Sequence, residues 1–99
     1  MSFEAHVRRA LDSIPPEIAR HLENVAVVVE DEHPDDPDLF GLFQEEPYMP
    51  AKISIYQQPL EQDYPDPAEL EEQIRITVLH ELAHCFGFDE DQIAELGYE

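Results

Sequence analysis

The chain has 99 residues, with 24 Asp and Glu against five Lys and Arg, and a formal charge of −19. That excess of acid excludes a nucleic-acid binder, which needs a basic stripe to displace counterions, and it disfavours anionic membrane surfaces. The length holds a single domain spanning 1–99, and a 42% hydrophobic content makes it a folded one despite nine prolines.

So small a domain buries only about 60% of its unfolded surface and leans on a staple. The lone Cys85 cannot close an internal disulfide, which leaves a metal or association. The N-terminus lacks a basic end followed by an apolar core, and the longest apolar run is Val25 to Val29. A signal peptide and a membrane span are therefore not expected, and the unpaired cysteine makes the cytoplasm the expected compartment.

Residues 2–13 read as a helix, with Ser2 as N-cap and Phe3, Val7, Ala10, Leu11 and Ile14 near one stripe. Pro15-Pro16 interrupts it, and Pro16 to Leu22 suits a short second helix that starts on proline. The β-branched run Val25 to Val29 reads as an inner strand covered on both faces. Glu30 to Asp38 is an acidic, proline-rich loop, and Leu39 to Phe43 reads as a short strand with a glycine bulge. Gln44 to Pro50 reads as a second loop.

Lys52 to Leu60 alternates, with Ile53 and Ile55 one way and Lys52, Ser54 and Tyr56 the other, so a half-exposed strand is expected. Glu61 to Pro67 is turn-rich. From Ala68 to Phe86 the pattern is helical, Gly87 stops it, and Asp89 to Leu96 suits a last short helix.

One stretch carries chemistry: His80-Glu81-Leu82-Ala83-His84. Histidines four apart on a helix lie one turn apart on one face, so both imidazoles can meet one cation. Zinc accepts imidazole nitrogen at about 2.0–2.1 Å, and a catalytic zinc takes three protein ligands plus water. Glu81 is rotated by about 100° from His80, where it would flank the metal as a base for the water. The surrounding Ile74, Ile76, Val78, Leu79, Leu82, Ala83 and Phe86 make the helix apolar nearly all round, which predicts burial.

The longer stretch His80-Glu81-Leu82-Ala83-His84-Cys85-Phe86-Gly87-Phe88-Asp89-Glu90 resembles the HExxHxxGxx(D/E/H) signature of the zincin metallopeptidases, most closely the small bacterial mini-zincins related to the Asp-zincins. Ser13 to Glu17, Val27 to Glu32, Gly41-Leu42-Phe43, Ile53 to Tyr56 and Leu96-Gly97-Tyr98 are similar to that family too. The resemblance implies one α+β zincin-like domain, with a small mixed sheet packed on the motif helix and an N-terminal helical segment. It also implies a zinc ion and peptidase activity. Where Asp-zincins carry aspartate, this chain has Glu90, flanked by Asp89 and Asp91. Both methionines, Met1 and Met49, precede the motif, so the methionine turn of larger zincins has no counterpart after it.

The expected metal set is therefore His80, His84 and Glu90, with Glu81 as catalytic base. A continuing helix would carry position 90 about 240° off the histidines and about 9 Å beyond them, so the chain must turn back, and Gly87 is the place for that turn. The expected function is zinc-dependent hydrolysis of a peptide bond. The alternative is a zinc-binding interaction module with little or no proteolysis, which a fourth protein ligand would favour.

The expected substrate is a peptide or protein, with a preference for basic character given the −19 charge. It is expected to add to the edge of the strand at Ile53, Ser54, Ile55 and Tyr56. His6, His21 and His33 read as surface or satisfied histidines, Cys85 as an inert thiol and the acidic loop as solvated. Tyr98 is open between stabilising an oxyanion and packing.

Overall fold

The computed structural model describes residues 2–86 and the side chains as far as Ala83. Helix α1 (Phe3–Asp12) begins on Ser2, whose hydroxyl accepts from the Ala5 N–H at 3.2 Å, one of the donors a helix start leaves over. Phe3, Val7 and Ala10 are buried along its apolar stripe, and Ile14 continues that burial past the helix end. Helix α2 (Pro16–Ala19) starts on proline and runs into a 3-10 turn, Arg20–Leu22.

Three strands follow: β1 (Val25–Glu30), β2 (Gly41–Glu46) and β3 (Met49–Tyr56). Their order is β1-β3-β2, with β3 parallel to β1 and antiparallel to β2. The fold is α+β with a mixed sheet, as expected. Among the described residues, however, β1 is an edge strand and only half-buried, not an inner one. Its unbroken valines mimic the pattern of a strand covered on both faces, but the central place belongs to β3.

The segment read as a loop from Gln44 is a hairpin. Glu46 pairs with Met49 across Pro47-Tyr48, with the register shift between Gln44 and Glu46. The irregularity thus falls beyond Gly41, which is not a bulge. β3 stops at Tyr56, earlier than the sequence pattern suggests, and α3 (Gln57–Asp63) begins at once. Pro59 lies in the first turn of α3, where its missing N–H would have had no intrahelical partner.

The acidic segment 31–40 crosses the end of β3 to link β1 to β2. It is pinned where the Gln58 N–H donates to Asp31 O at 2.9 Å and where the His33 and Tyr56 rings meet edge to face.

Helix α4 (Pro67–Phe86) is the longest element, and no described helix is long and apolar enough to cross a membrane. Asp66 caps α4 through its carboxylate on the Glu69 N–H at 3.1 Å. Ile74, Val78 and Leu82 recur every fourth residue and are fully buried, as is Leu79 on the same side. They pack against Ile53 and Ile55 of β3, Leu60 of α3 and the stripe of α1.

A polar seam also ties α1 to α4. His6 Nδ1 lies 2.7 Å from Glu71 Oε1, Arg9 Nε lies 3.0 Å from the same oxygen, and Arg75 donates to Ser13 Oγ at 3.0 Å. The hydrogen bond from His6, with Arg9 adding, holds the Glu71 carboxyl below its ordinary 4.5. A carboxyl depressed on folding contributes stability that is complete above its unfolded pKa and is lost as pH falls through the folded one. Glu71→Gln should therefore cost stability near neutrality, and the gap from the parent should close in acid. Urea unfolding at stepped pH reads this directly; a gap of constant size would place the seam's value elsewhere.

Candidate active site

The motif lies in the last two turns of α4, beside β2. Gly41 brings the two together. A Cβ built on Gly41 would stand 2.5 Å from Thr77 Cγ2 and 3.2 Å from the Ser54 carbonyl oxygen, with Glu81 Cγ at 3.9 Å. Thr77 cannot easily turn aside, because its hydroxyl donates to Gln73 O at 2.8 Å and its branched side chain is stiff in a helix. Only glycine lets the strand approach this closely.

Gly41→Ala should accordingly cost about 1–3 kcal/mol by overpacking. Adding Thr77→Ser removes the obstructing methyl, keeps the hydroxyl and should restore most of the loss. Denaturant midpoints of the single and double variants test the contact; absence of recovery would shift the cost to the Ser54 carbonyl.

Two residues along, the Phe43 N–H donates to Glu81 Oε2 at 3.1 Å. Antiparallel pairing explains why that N–H is available. The Tyr56 N–H donates to Phe40 O at 2.9 Å, so Phe40 turns its backbone groups towards β3. Alternation then turns Leu42 the same way and Gly41 and Phe43 outwards, to the edge without a strand neighbour among the described residues. Glu81 is half-buried and holds that outward edge of β2.

His80 is exposed, two residues beyond the fully buried Val78 and thus about 200° around the helix from it. The expected all-round burial of the motif helix does not hold at this position. Its apolar content is concentrated on the Ile74–Val78–Leu82 side, and His80 stands clear of it. The helix carries position 84 one turn beyond position 80. The side chain of His84 and the whole of Glu90, together with the Gly87 turn, Asp89, Asp91, the last short helix and Tyr98, lie outside the described residues. Among the described side chains no three His, Cys, Asp or Glu converge as a metal set.

The four residues expected to bind substrate are placed differently from expectation. Ile53, Ser54 and Ile55 are fully buried, Tyr56 nearly so, and β3 is hydrogen-bonded to β1 on one edge and to β2 on the other. A strand with both edges paired has no main-chain groups to offer a peptide, so strand addition at Ile53 to Tyr56 is ruled out. The misreading has a physical cause: alternation shows that a strand has two faces but says nothing of its edges. Burial pushes the Tyr56 phenol above its ordinary 10.0, and the carboxylates of Glu30 and Glu81 push it the same way, so it stays protonated.

The edge contact Phe43–Glu81 and the glycine that permits it were not singled out by sequence reasoning as functional. The signal available was a lone glycine inside a strand, which marks either a bulge or a close backbone approach; here it marks the approach.

A helix bearing His80 and Glu81, with position 84 one turn further on, thus packs beside a strand edge of a small mixed sheet. The family model described as zincin-like metallopeptidase matches residues 22–98, and the chain belongs to that family. No curated protein matches it.

Proposed function

We propose that the protein is a zinc-dependent peptidase in which His80, His84 and Glu90 hold the metal and Glu81 is the general base. The observation that carries the reading is the placement of Glu81: its carboxylate lies on the outward N–H of Phe43, at a strand edge beside the exposed His80. Two histidine positions one helical turn apart, the first with its side chain exposed, and a flanking carboxylate anchored by a backbone donor make a donor set that fits zinc. When bound, zinc would supply Lewis acidity, lowering the pKa of a water and polarising the scissile carbonyl.

The residues do the remainder. Glu81 accepts the proton of the attacking water and later passes it to the leaving amine. Its hydrogen bond to Phe43 fixes where that carboxylate stands, so the base is positioned before substrate arrives. Among the described residues the outward edge of β2 has no strand neighbour and borders the motif helix, so, beyond the Phe43 N–H that Glu81 holds, it replaces β3 as the place for an extended peptide. Glu45 and Glu46 on the same strand are exposed, which, with the −19 charge, favours basic side chains in the substrate.

Metal analysis of the purified protein, joined to hydrolysis of a peptide library with and without chelator, tests the reading. About one zinc per chain and chelator-sensitive cleavage support it; a metal-free protein at neutral pH ends it. The third ligand is separable. Glu90→Ala should weaken zinc binding sharply, while Asp89→Ala and Asp91→Ala should do much less. The reverse order, read by competition with a chromogenic chelator, would reassign the ligand and leave the histidines in place.

A further inference from the structure

We propose that the protein forms a two-fold dimer through the outer edge of β1, joining two three-stranded sheets into one of six. Among the described residues β1 has a strand neighbour on one side only, and Val25 to Val29 is an unbroken apolar run. Exposed edges are ordinarily blunted by lysine, proline or a bulge, because unpaired N–H and C=O groups template further pairing. β1 carries none of these.

Beside it lies an open groove of about 440 Å³, lined by Val7 and Leu11 of α1, by Val27, Val28 and Val29, and by Glu4 and Arg8. The charge of this lining cancels, one acid against one base, on a chain of net −19. Two other grooves also balance their charges, Arg9 and Arg75 against Glu71 and Glu72 between α1 and α4, and Lys52 against Glu46 beside the hairpin, but most of their lining residues are polar. This one is neutral and apolar, and a two-fold axis sets it against its own equal.

The register follows from the pleat. Residues opposite each other in an antiparallel pair share a face, and both copies must turn Val25, Val27 and Val29 to the helix side. The axis centred on Val27 satisfies this. Val27 then faces Val27 of the second copy, Val25 faces its Val29, and Glu30 faces its Asn24, so the two Glu30 carboxylates lie far apart. The helix-side valines of the added strand drop towards the groove under α1. The site edge, β2, is on the opposite side of β3 and stays free.

Sedimentation equilibrium across a range of salt tests the proposal. The expected result is a monomer–dimer equilibrium that tightens as salt rises, because salt screens the repulsion between the two −19 chains. Arg8→Glu, at an exposed position, should weaken dimerisation about tenfold or more by making the groove acidic on both copies.

Geometry is read by cross-linking in a Cys85→Ser background. Val27→Cys should form an intermolecular disulfide, since facing residues of an antiparallel pair have Cα atoms about 4.5–5.5 Å apart. Glu30→Cys should not, as the two positions would stand about 20 Å apart along the strands. A monomer at every salt concentration overturns the proposal. So does a dimer in which Glu30→Cys cross-links and Val27→Cys does not.

Discussion

Glu81→Gln should lower peptide hydrolysis by about 10²–10⁴-fold, the usual worth of a positioned general base, while the protein keeps its fold and its zinc. The substitution is nearly isosteric. The amide oxygen can still accept the Phe43 N–H that now rests on Oε2, so the contact between α4 and β2 survives. What is lost is the capacity to take a proton. Glu81→Asp is the informative companion, because a carboxylate one methylene shorter keeps the proton chemistry and gives up the reach to β2. If positioning by Phe43 matters, the Asp variant should also be slow. Activity retained in the Gln variant would remove Glu81 from the mechanism, and loss of zinc from it would make Glu81 a ligand.

Local patterning reveals α1, α2 and α4, though not α3, because their causes are local. Ser2 and the stripe Phe3–Val7–Ala10 define α1, and Pro16 starts α2. The run to Phe86 is helical from Pro67, one residue before the expected start, because Asp66 supplies the cap. The sheet was less legible, because pairing is non-local. Nothing in Val25 to Val29 says which of three strands takes the centre, and nothing in Lys52 to Leu60 says that both edges of β3 are filled. The end of β3 was overrun because Gln57 and Gln58 extend its alternation, although Pro59 in a first turn is as acceptable as at a strand end.

The site divides the same way. His80, Glu81 and His84 are visible as a spacing, since one turn of helix brings the histidines together whatever surrounds them. The anchoring of Glu81 is not visible, because it depends on Gly41 meeting Thr77 across 36 residues of sequence. The exposure of His80 is hidden for a related reason: an apolar count over a whole helix masks the stripe Ile74–Val78–Leu82, and His80 stands on the side away from it.

That stripe carries the other large expected effect. Leu82→Ala should cost about 2–5 kcal/mol, the lost transfer energy of a buried side chain plus the cavity it leaves. Leu82 is fully buried and sits within the motif itself, next to Glu81, packed with Ile74, Val78 and Leu79 in the core shared with β3 and α1. Against a total of about 5–15 kcal/mol for a domain, this removes a large share, and it should lower the melting temperature by on the order of 10–30 °C.

The same variant separates folding from metal binding. The metal set proposed at positions 80, 84 and 90 does not use the buried stripe, so zinc should stabilise variant and parent by the same free energy, about 2.7 kcal/mol at a hundred times its dissociation constant. Calorimetry with and without zinc measures both numbers. Equal zinc gains on a lowered baseline mean that Leu82 holds the helix in the core while the exposed side of α4 binds the metal. A zinc gain that disappears with Leu82 would mean that core packing sets the ligand geometry, and the two faces of α4 would have to be treated as one unit.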